Sequence, residues 1–599
     1  MPINYPSASA ETLGKFSRKF RLAVIGQCSV GPLVDKFASD VVADHYLIES
    51  RPYSLPPDIE YSIYDGIVIA LTLRHILEHT PSFDGGSGGS EIQWARLIGR
   101  PGMADYFEHC AANIKERVLS YKAIAVSKPC IFLTFMEPRQ NFVGVLSKKY
   151  TLDNPGHFVR ELNRVLEECV SDLSLGYCID INEAVNSVGR SGVQDDIFWH
   201  IGHASYQADE YITASEDNER LQLSVPPSAM YSASDRISEA QSYIAERIID
   251  ALRIINKIDS IKLIVVDLDD TMWRGVAADS DRPKWQLTEG WPKGLAEALL
   301  IFKARGGMLA ICSKNDDEPT RERFAEMMGN SMKLSDFVSV QINFETKSSN
   351  IQRILGDVNV LPGNVLFIDD NPREVEEVIR VFPEIRVLSR QHYDWRRVVL
   401  MAPELQVERI SSESLRRTES VQAAITRRNV DQTISREEWI KSLEIRQWHV
   451  IVDSVNHDNF ARASELINKT NQFNTTGKRW QAHDFVEFFS AGGIIVCAFS
   501  RDRLVENGLI GATMILGREI IQVVLSCRVF GFDVEKAMLR FSMESIRAGE
   551  RPVKAIVMNT GKNHTCHDFF IKNNFLEIEA GTFESTQFPD YPAWISLDS

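Results

Sequence analysis

Three short apolar runs in the middle of the chain, IKLIVVDLDD, GGMLAICSKND and GNVLFIDDNP, each close on polar or acidic residues. Runs of this length without alternation read as strands buried on both faces, the habit of parallel sheets. Helical stretches separate them, and strand–helix alternation implies an α/β sheet. In such sheets functional groups collect beyond the carboxyl ends of the strands, which is where all three polar clusters fall. Earlier in the chain RLAVIGQCS, YDGIVIALTLRHIL and KPCIFLTFM repeat the pattern, with FDGGSGGSE read as a loop. The last part differs. GGIIVCAFS, LIGATMIL and EIIQVVLSC follow one another as strands, then come the helical FDVEKAMLRFSMESIRAG and the strand KAIVMNT, an α+β order.

The expected organisation is multidomain α/β. An α/β domain spans residues 20–232, a second spans 260–400, and an α+β domain spans 409–599. Between the first two, residues 233–258 read as one amphipathic linker helix with Ile237, Ala240, Tyr243, Ile244, Ile248, Leu252 and Ile255 as its apolar stripe. A length of 599 residues accommodates this. Lys+Arg 66 against Asp+Glu 82 leaves a net charge of −16, so a phosphate backbone would be repelled and no nucleic-acid partner is expected. Nine cysteines lie scattered with no CxxC pair, which points to reduced thiols in a cytoplasmic protein. No apolar stretch is long enough to span a bilayer, and the N-terminus lacks an apolar signal core, so no membrane partner is expected.

VVDLDDT sets Asp267, Asp269 and Thr271 just beyond a hydrophobic strand. Two carboxylates two residues apart can divide the work on one phosphate. One attacks in line, and the other protonates the leaving oxygen and then activates water. An anionic nucleophile meeting an anionic phosphoryl group needs a cation, which points to Mg2+. Ser313 after the next strand can donate to a phosphoryl oxygen, and Lys347 can supply a fixed positive charge. Asp369 and Asp370, after VLFI, can hold the metal together with Asp267 and Asp269.

These residues, in this order, resemble the motifs of the haloacid dehalogenase (HAD) superfamily. VVDLDDTMWRGV, LAICSKND, ETKSSNIQRI and VLFIDDNPREVEEV further resemble its FkbH-like branch, as do ELINKTNQFNTTGKRW and LSCRVFGFDVE later on. The resemblance covers approximately residues 260–590. It implies a Rossmann-like HAD core and a glyceryl transferase/phosphatase. Such an enzyme takes 1,3-bisphosphoglycerate, removes phosphate and loads the glyceryl unit as a thioester onto an acyl carrier protein in polyketide or related natural-product assembly. About 40 residues separate Thr271 from Ser313 and about 30 separate Ser313 from Lys347, too few for a full cap domain. An open site of that kind suits a phosphopantetheine arm. Thioester chemistry asks for a thiol, and Cys312 beside Ser313 is the candidate, with Lys314 or Lys347 to lower its pKa. The alternatives are a simple Mg2+-dependent phosphatase on a phosphorylated metabolite, and a catalytically decayed scaffold that binds a carrier protein.

VVLSCRVFGFDVEKAML resembles the acyl-CoA N-acyltransferase (GNAT) signature, in which Arg528 and the following helix N-terminus would cradle a pyrophosphate. Asp533 stands where a small residue is expected. Cys527 is a further thiol candidate. Asn471, Gln472, Asn474, Thr475 and Thr476 offer amides and hydroxyls for a phosphate or the glyceryl hydroxyls, or for a turn. At the first strand end Cys28 and Ser29 occupy the place of the nucleophile in SGNH-type hydrolases, so the first domain is expected to be SGNH-like or flavodoxin-like, with Cys28 as another thiol. Asp196 and His200 depart from that family's spacing.

Overall fold

The computed structural model describes residues 19–27, 30–37, 41–47, 56–78, 93–194, 219–222, 224, 234–276, 282–428, 435–470, 472–546, 551–561 and 563–598. The chain forms two compact units that meet in sequence at Ile258 and Asp259. No helix among the described residues is long and apolar enough to cross a membrane.

The first unit is built on β1 (Phe20–Gly26), β2 (Val41–Leu47), β3 (Gly66–Ile69), β4 (Cys130–Leu133) and β5 (Gly176–Ile179). All pair in parallel in the order β2-β1-β3-β4-β5, a doubly wound, flavodoxin-like arrangement. The helix Ser234–Ile255 belongs to this unit rather than standing as a separate linker. Its buried Ala240, Ile244, Ile248 and Leu252 explain why: Leu252 reaches within 3.1 Å of where a Cβ at Gly66 would sit. Lys36, in the turn after the helix Gly31–Val34, donates to Ser238 at 2.7 Å.

The second unit opens with β6 (Leu263–Val266), β7 (Met308–Ser313), β8 (Ser339–Ile342), β9 (Val365–Ile368) and β10 (Arg386–Leu388). These form a parallel sheet in the order β10-β9-β6-β7-β8. Alternate residues serve opposite faces. Ile264 and Val266 join the core lined by Trp273, Phe324 and Trp395, whereas Leu263 and Val265 join Ile351, Phe367 and Val378. The helix Arg417–Arg428 packs here through Val421 and Ile425, and Gln422 donates to the carbonyls of Ser335 and Phe337 at 3.1 and 2.8 Å. The stretch read as the start of the α+β domain therefore covers the preceding sheet.

The rest of the unit is an eight-stranded mixed sheet of β11 (Ile445–Val452), β12 (Gly493–Arg501), β13 (Glu506–Leu516), β14 (Glu519–Leu525), β15 (Val553–Ile556), β16 (Leu576–Glu579), β17 (Thr582–Ser585) and β18 (Ile595–Leu597). β14 and β15 pair only at Glu519–Lys554 and Ile520–Ala555. Beyond that point Phe473–Thr475 fills the opening. Leu525 donates to the Phe473 carbonyl and Thr475 to that of Val523, each at 3.0 Å, while Met558 donates to Thr475 at 2.7 Å.

Candidate active site

β6 gives way to Asp267, whose N–H still donates to the Ile368 carbonyl of β9 at 3.0 Å. Because β6 and β9 are neighbours, Asp267 stands beside Asp369 and Asp370. One oxygen from each of the three carboxylates lies within 4.8 Å of the others. Asn371 and Pro372 turn the chain sharply after this acidic pair. The Asn371 side chain accepts from the Arg373 N–H at 3.0 Å, and proline occupies the first helical turn.

Lys347 opens the helix Lys347–Val358, which Thr346 caps by accepting from Ser349 N–H at 3.3 Å. Its ammonium lies 3.0 Å from Asp267 Oδ1 and pairs with Asp369 Oδ2. Burial opposes the lysine charge, but the two carboxylates outweigh it and hold the pKa above its ordinary value. For Asp369, burial and then the Asp267 charge win against the pull of Lys347, and the carboxyl is pushed up to about 7. Asp370 is also raised, by burial first and Asp267 second. Asp267 Oδ1 is buried and accepts no hydrogen bond among the described residues, since its close approach to Lys347 lacks hydrogen-bond geometry. Three carboxylates thus face one ammonium, with a buried oxygen left over. That donor set fits a hard divalent cation.

Ser313 ends β7 and is buried. Asn315 Nδ2 donates to Ser313 Oγ at 3.0 Å and to Asp269 Oδ2 at 3.1 Å, and Trp273 Nε1 donates to Asp269 Oδ1 at 2.9 Å. Asp269 is thereby fixed toward the Ser313 side. Thr271 Oγ1 is buried with no partner among the described residues. Asn315 and Trp273 escaped sequence reasoning. Their only signals are their positions, two after Ser313 and four after Asp269.

Several expectations need correction. The Asp269 carboxylate lies outside the cluster, so among the described residues three side-chain carboxylates rather than four are placed to hold a metal. Cys312 faces the opposite side of its strand from Ser313, inside the core with Ile351 and Phe367. Its Sγ lies 3.8 Å from the Lys347 carbonyl, and burial pushes its pKa to about 12 despite the opposing effect of Lys347. Lys314 turns away to Glu374 at 2.8 Å. A buried, protonated thiol is a poor acyl carrier. Arg528 donates to Ser526 Oγ at 3.0 Å and to the Leu509 carbonyl at 3.2 Å, bracing strand ends rather than reaching for a pyrophosphate. Asn474 is fully buried. Its oxygen accepts from Gly477 N–H and Gln522 Nε2, each at 2.8 Å, and its amide donates to Thr470 at 3.1 Å, so it shapes the turn instead of meeting a substrate. Cys28, Asn471, Asp196, His200 and the Cys527 side chain lie outside the described residues.

Asn474→Ala is expected to destabilise the second unit by roughly 2–3 kcal/mol, because Gln522 and the Gly477 N–H lose a buried partner. The urea midpoint of the full chain reads this directly.

No family model and no curated protein matches the chain. Among solved structures it is similar to the N-terminal part of a Bacteroides fragilis protein containing a phosphatase domain, complexed with Mg. The identity is 18%, with 66% of this chain and 95% of that one covered, at a TM-score of 0.41. It is also similar to 3-deoxy-D-manno-octulosonate 8-phosphate phosphatase from Moraxella catarrhalis, solved with magnesium, phosphate and KDO, at 14% identity. That match covers 26% of this chain and 92% of that one, at a TM-score of 0.19. A HAD superfamily (subfamily III A) hydrolase from Legionella pneumophila follows at 12% identity, covering 31% and 99%, with a TM-score of 0.18.

Proposed function

We propose that this chain is a divalent-metal-dependent phosphatase in which Asp267 is the nucleophile. The observation that carries the reading is the buried Asp267 carboxylate, set at 4.8 Å or less from Asp369 and Asp370 with the Lys347 ammonium beside it. One Asp267 oxygen bonds to phosphorus as the bond from phosphorus to the leaving oxygen breaks, and protonated Asp269 gives that oxygen its proton. Asp269 then takes a proton from water, which attacks the aspartyl phosphate and releases inorganic phosphate. Lys347 and Ser313 hold the phosphoryl oxygens, and Asn315 and Trp273 hold Asp269 in place. Mg2+, bound by Asp267, Asp369 and Asp370, would neutralise phosphoryl charge as a Lewis acid. Phosphate release from a panel of phosphomonoesters, with Mg2+ against EDTA, tests the reading. Release indifferent to EDTA would refute it.

The metal also makes a pH-dependent prediction. Folded Asp369 titrates near 7, whereas an unfolded carboxyl titrates near its ordinary value of about 4. Between those limits the folded state keeps a proton that the unfolded state has lost, so metal-free stability falls as pH rises. Mg2+ must displace that proton. Its gain in Tm is therefore expected to be larger at about pH 8 than at about pH 5.5 in calorimetric scans.

Glyceryl transfer from 1,3-bisphosphoglycerate to an acyl carrier protein is a second reading, favoured by the openness of the site. Among the described residues only helices of 14 residues or fewer and the core strands β7 and β8 lie between Thr271 and Lys347, and none forms a cap. With Cys312 in the core, the pantetheine thiolate would attack the acyl carbon itself, forming the C–S bond as the C1 phosphate leaves, and the C3 phosphate would be hydrolysed at Asp267 to give the glyceryl unit. Intact mass of the carrier after incubation shows whether the adduct forms.

A further inference from the structure

An open cleft of about 510 Å³ is lined, among others, by Asp270, Arg274, Arg282, Trp291, Arg390 and His392. Its position follows from the topology. Asp270 comes three residues after Asp267, and Arg390 lies just past β10, the neighbour of the strand that carries Asp369 and Asp370. Two bonds tie the loop after β10 to the acidic loops. Ser389 Oγ donates to the Asp370 carbonyl at 3.5 Å, and His392 Nε2 lies 2.9 Å from the Asp270 carbonyl.

Among the described residues, three guanidinium groups against one carboxylate make the lining cationic, in a chain whose net charge is −16. The carboxylate is partly answered already, since Asp270 Oδ1 accepts from the Gly275 N–H at 2.6 Å. Arg274 is pre-positioned. It donates to the Gln286 and Glu289 carbonyls at 3.0 and 2.6 Å and lies over the Trp291 ring at 5.4 Å. Trp291 in turn packs edge-on against His392 with ring centroids 4.6 Å apart, which gives the cleft a fixed aromatic floor. Arg390 is the contrast. It is exposed, forms no hydrogen bond or ion pair among the described residues, and sits at φ +62°, a conformation that side-chain-bearing residues rarely adopt. Strain of this kind persists where the surrounding structure imposes it, often at ligand clamps.

We propose that this cleft binds a second anionic group, a carboxylate or a phosphate, on the substrate whose phosphoryl group reacts at Asp267. The proposal rests on the phosphatase reading for the first group and adds the class of substrate: a small phosphate compound with two anionic ends. Asp270 lines the cleft and its Cα lies at most about 11 Å from that of Asp267, so the cleft adjoins the phosphoryl site. A substrate with a short linker between its two anionic groups suits that adjacency. Arg274 supplies the fixed end of the anion site and Arg390 the unpaired charge, a pairing suited to the planar or tetrahedral oxyanions that arginine binds in bidentate fashion.

The test compares three substrates of one chain length: propyl phosphate, 3-phosphooxypropanoate and 1,3-propanediol bisphosphate. The full chain with Mg2+ is expected to show higher kcat/KM for at least one of the two doubly anionic compounds, and the better one identifies the second group. Arg390→Gly removes the charge and accepts the backbone conformation without strain. It should lower the ratio of doubly to singly anionic kcat/KM by roughly tenfold to a hundredfold, and Arg390→Lys should recover part of it. Equal treatment of all three substrates by the natural chain, or an unchanged ratio in Arg390→Gly, would overturn the proposal. If no substrate releases phosphate, the phosphatase reading fails. Calorimetric titration then reads the cleft directly: tighter binding of 1,3-propanediol bisphosphate than of propyl phosphate, lost in Arg390→Gly, supports it, and equal binding overturns it.

Discussion

Asp267→Asn is expected to lower Mg2+-dependent phosphate release by roughly 10³-fold or more, while the metal-free protein becomes no less stable. The first half follows from the role of the carboxylate, since an amide oxygen neither attacks phosphorus at a useful rate nor forms a hydrolysable acyl phosphate. The second half follows from crowding. Burial, and then the charge of Asp267, hold the Asp369 carboxyl up at about 7, so neutralising Asp267 removes a repulsion. Lys347 keeps Asp369 as its partner, and no hydrogen bond to Asp267 Oδ1 is lost because none is made. The Mg2+-induced rise in Tm should shrink as a ligand disappears. Paired melts with Mg2+ and with EDTA, run beside a phosphate-release assay, separate these effects. A metal-free variant that melts well below the natural chain would contradict the crowding argument.

Lys347→Met should produce the largest loss of stability of any single change at the site, about 3–5 kcal/mol in the second unit. The lysine is 2% exposed, and it serves two carboxylates that are themselves buried. Its removal leaves both charges in a low-dielectric pocket, a harsher outcome than never having built the pair. The loss should ease toward low pH. Without the ammonium the Asp369 carboxyl holds its proton more tightly, and in the protonated form it needs no cation. Combining Lys347→Met with Asp369→Asn should therefore recover part of the loss even though two residues have changed. Urea unfolding of the full chain at about pH 8, followed by tryptophan fluorescence, measures all three variants. A double variant less stable than Lys347→Met would show that the pair is not what the lysine stabilises. Phosphate release should be lost in both variants.

Much of this protein could be read along the chain. Unbroken apolar runs such as LIVV, MLAICS and VLFI can be buried only between two helical layers, so parallel sheets were implied by local composition. Because polar residues end those runs, Asp267, Ser313 and Asp369 stood out as strand-end groups. Other features depended on which way a side chain points and on what folds against it. Cys312 and Ser313 are adjacent in sequence but serve opposite faces of one strand, and only the packing of the helix Lys347–Val358 shows which face is core. The polar string around Asn474 reads equally well as a ligand site or a turn until Phe473–Thr475 is seen filling the opening between β14 and β15. Asp269 and Asp370 are both acidic strand-end residues, yet only Asp370 joins Asp267 and Asp369, because Trp273 and Asn315 draw Asp269 aside. Arg390 and His392 carry no motif at all. They line the cleft beside Asp270 because β10 is the edge neighbour of β9. Local sequence determined the elements and the chemistry at their ends, since burial and turn preferences act over a few residues. Strand order and side-chain facing decided which of those ends meet, because they depend on contacts between segments far apart in the chain.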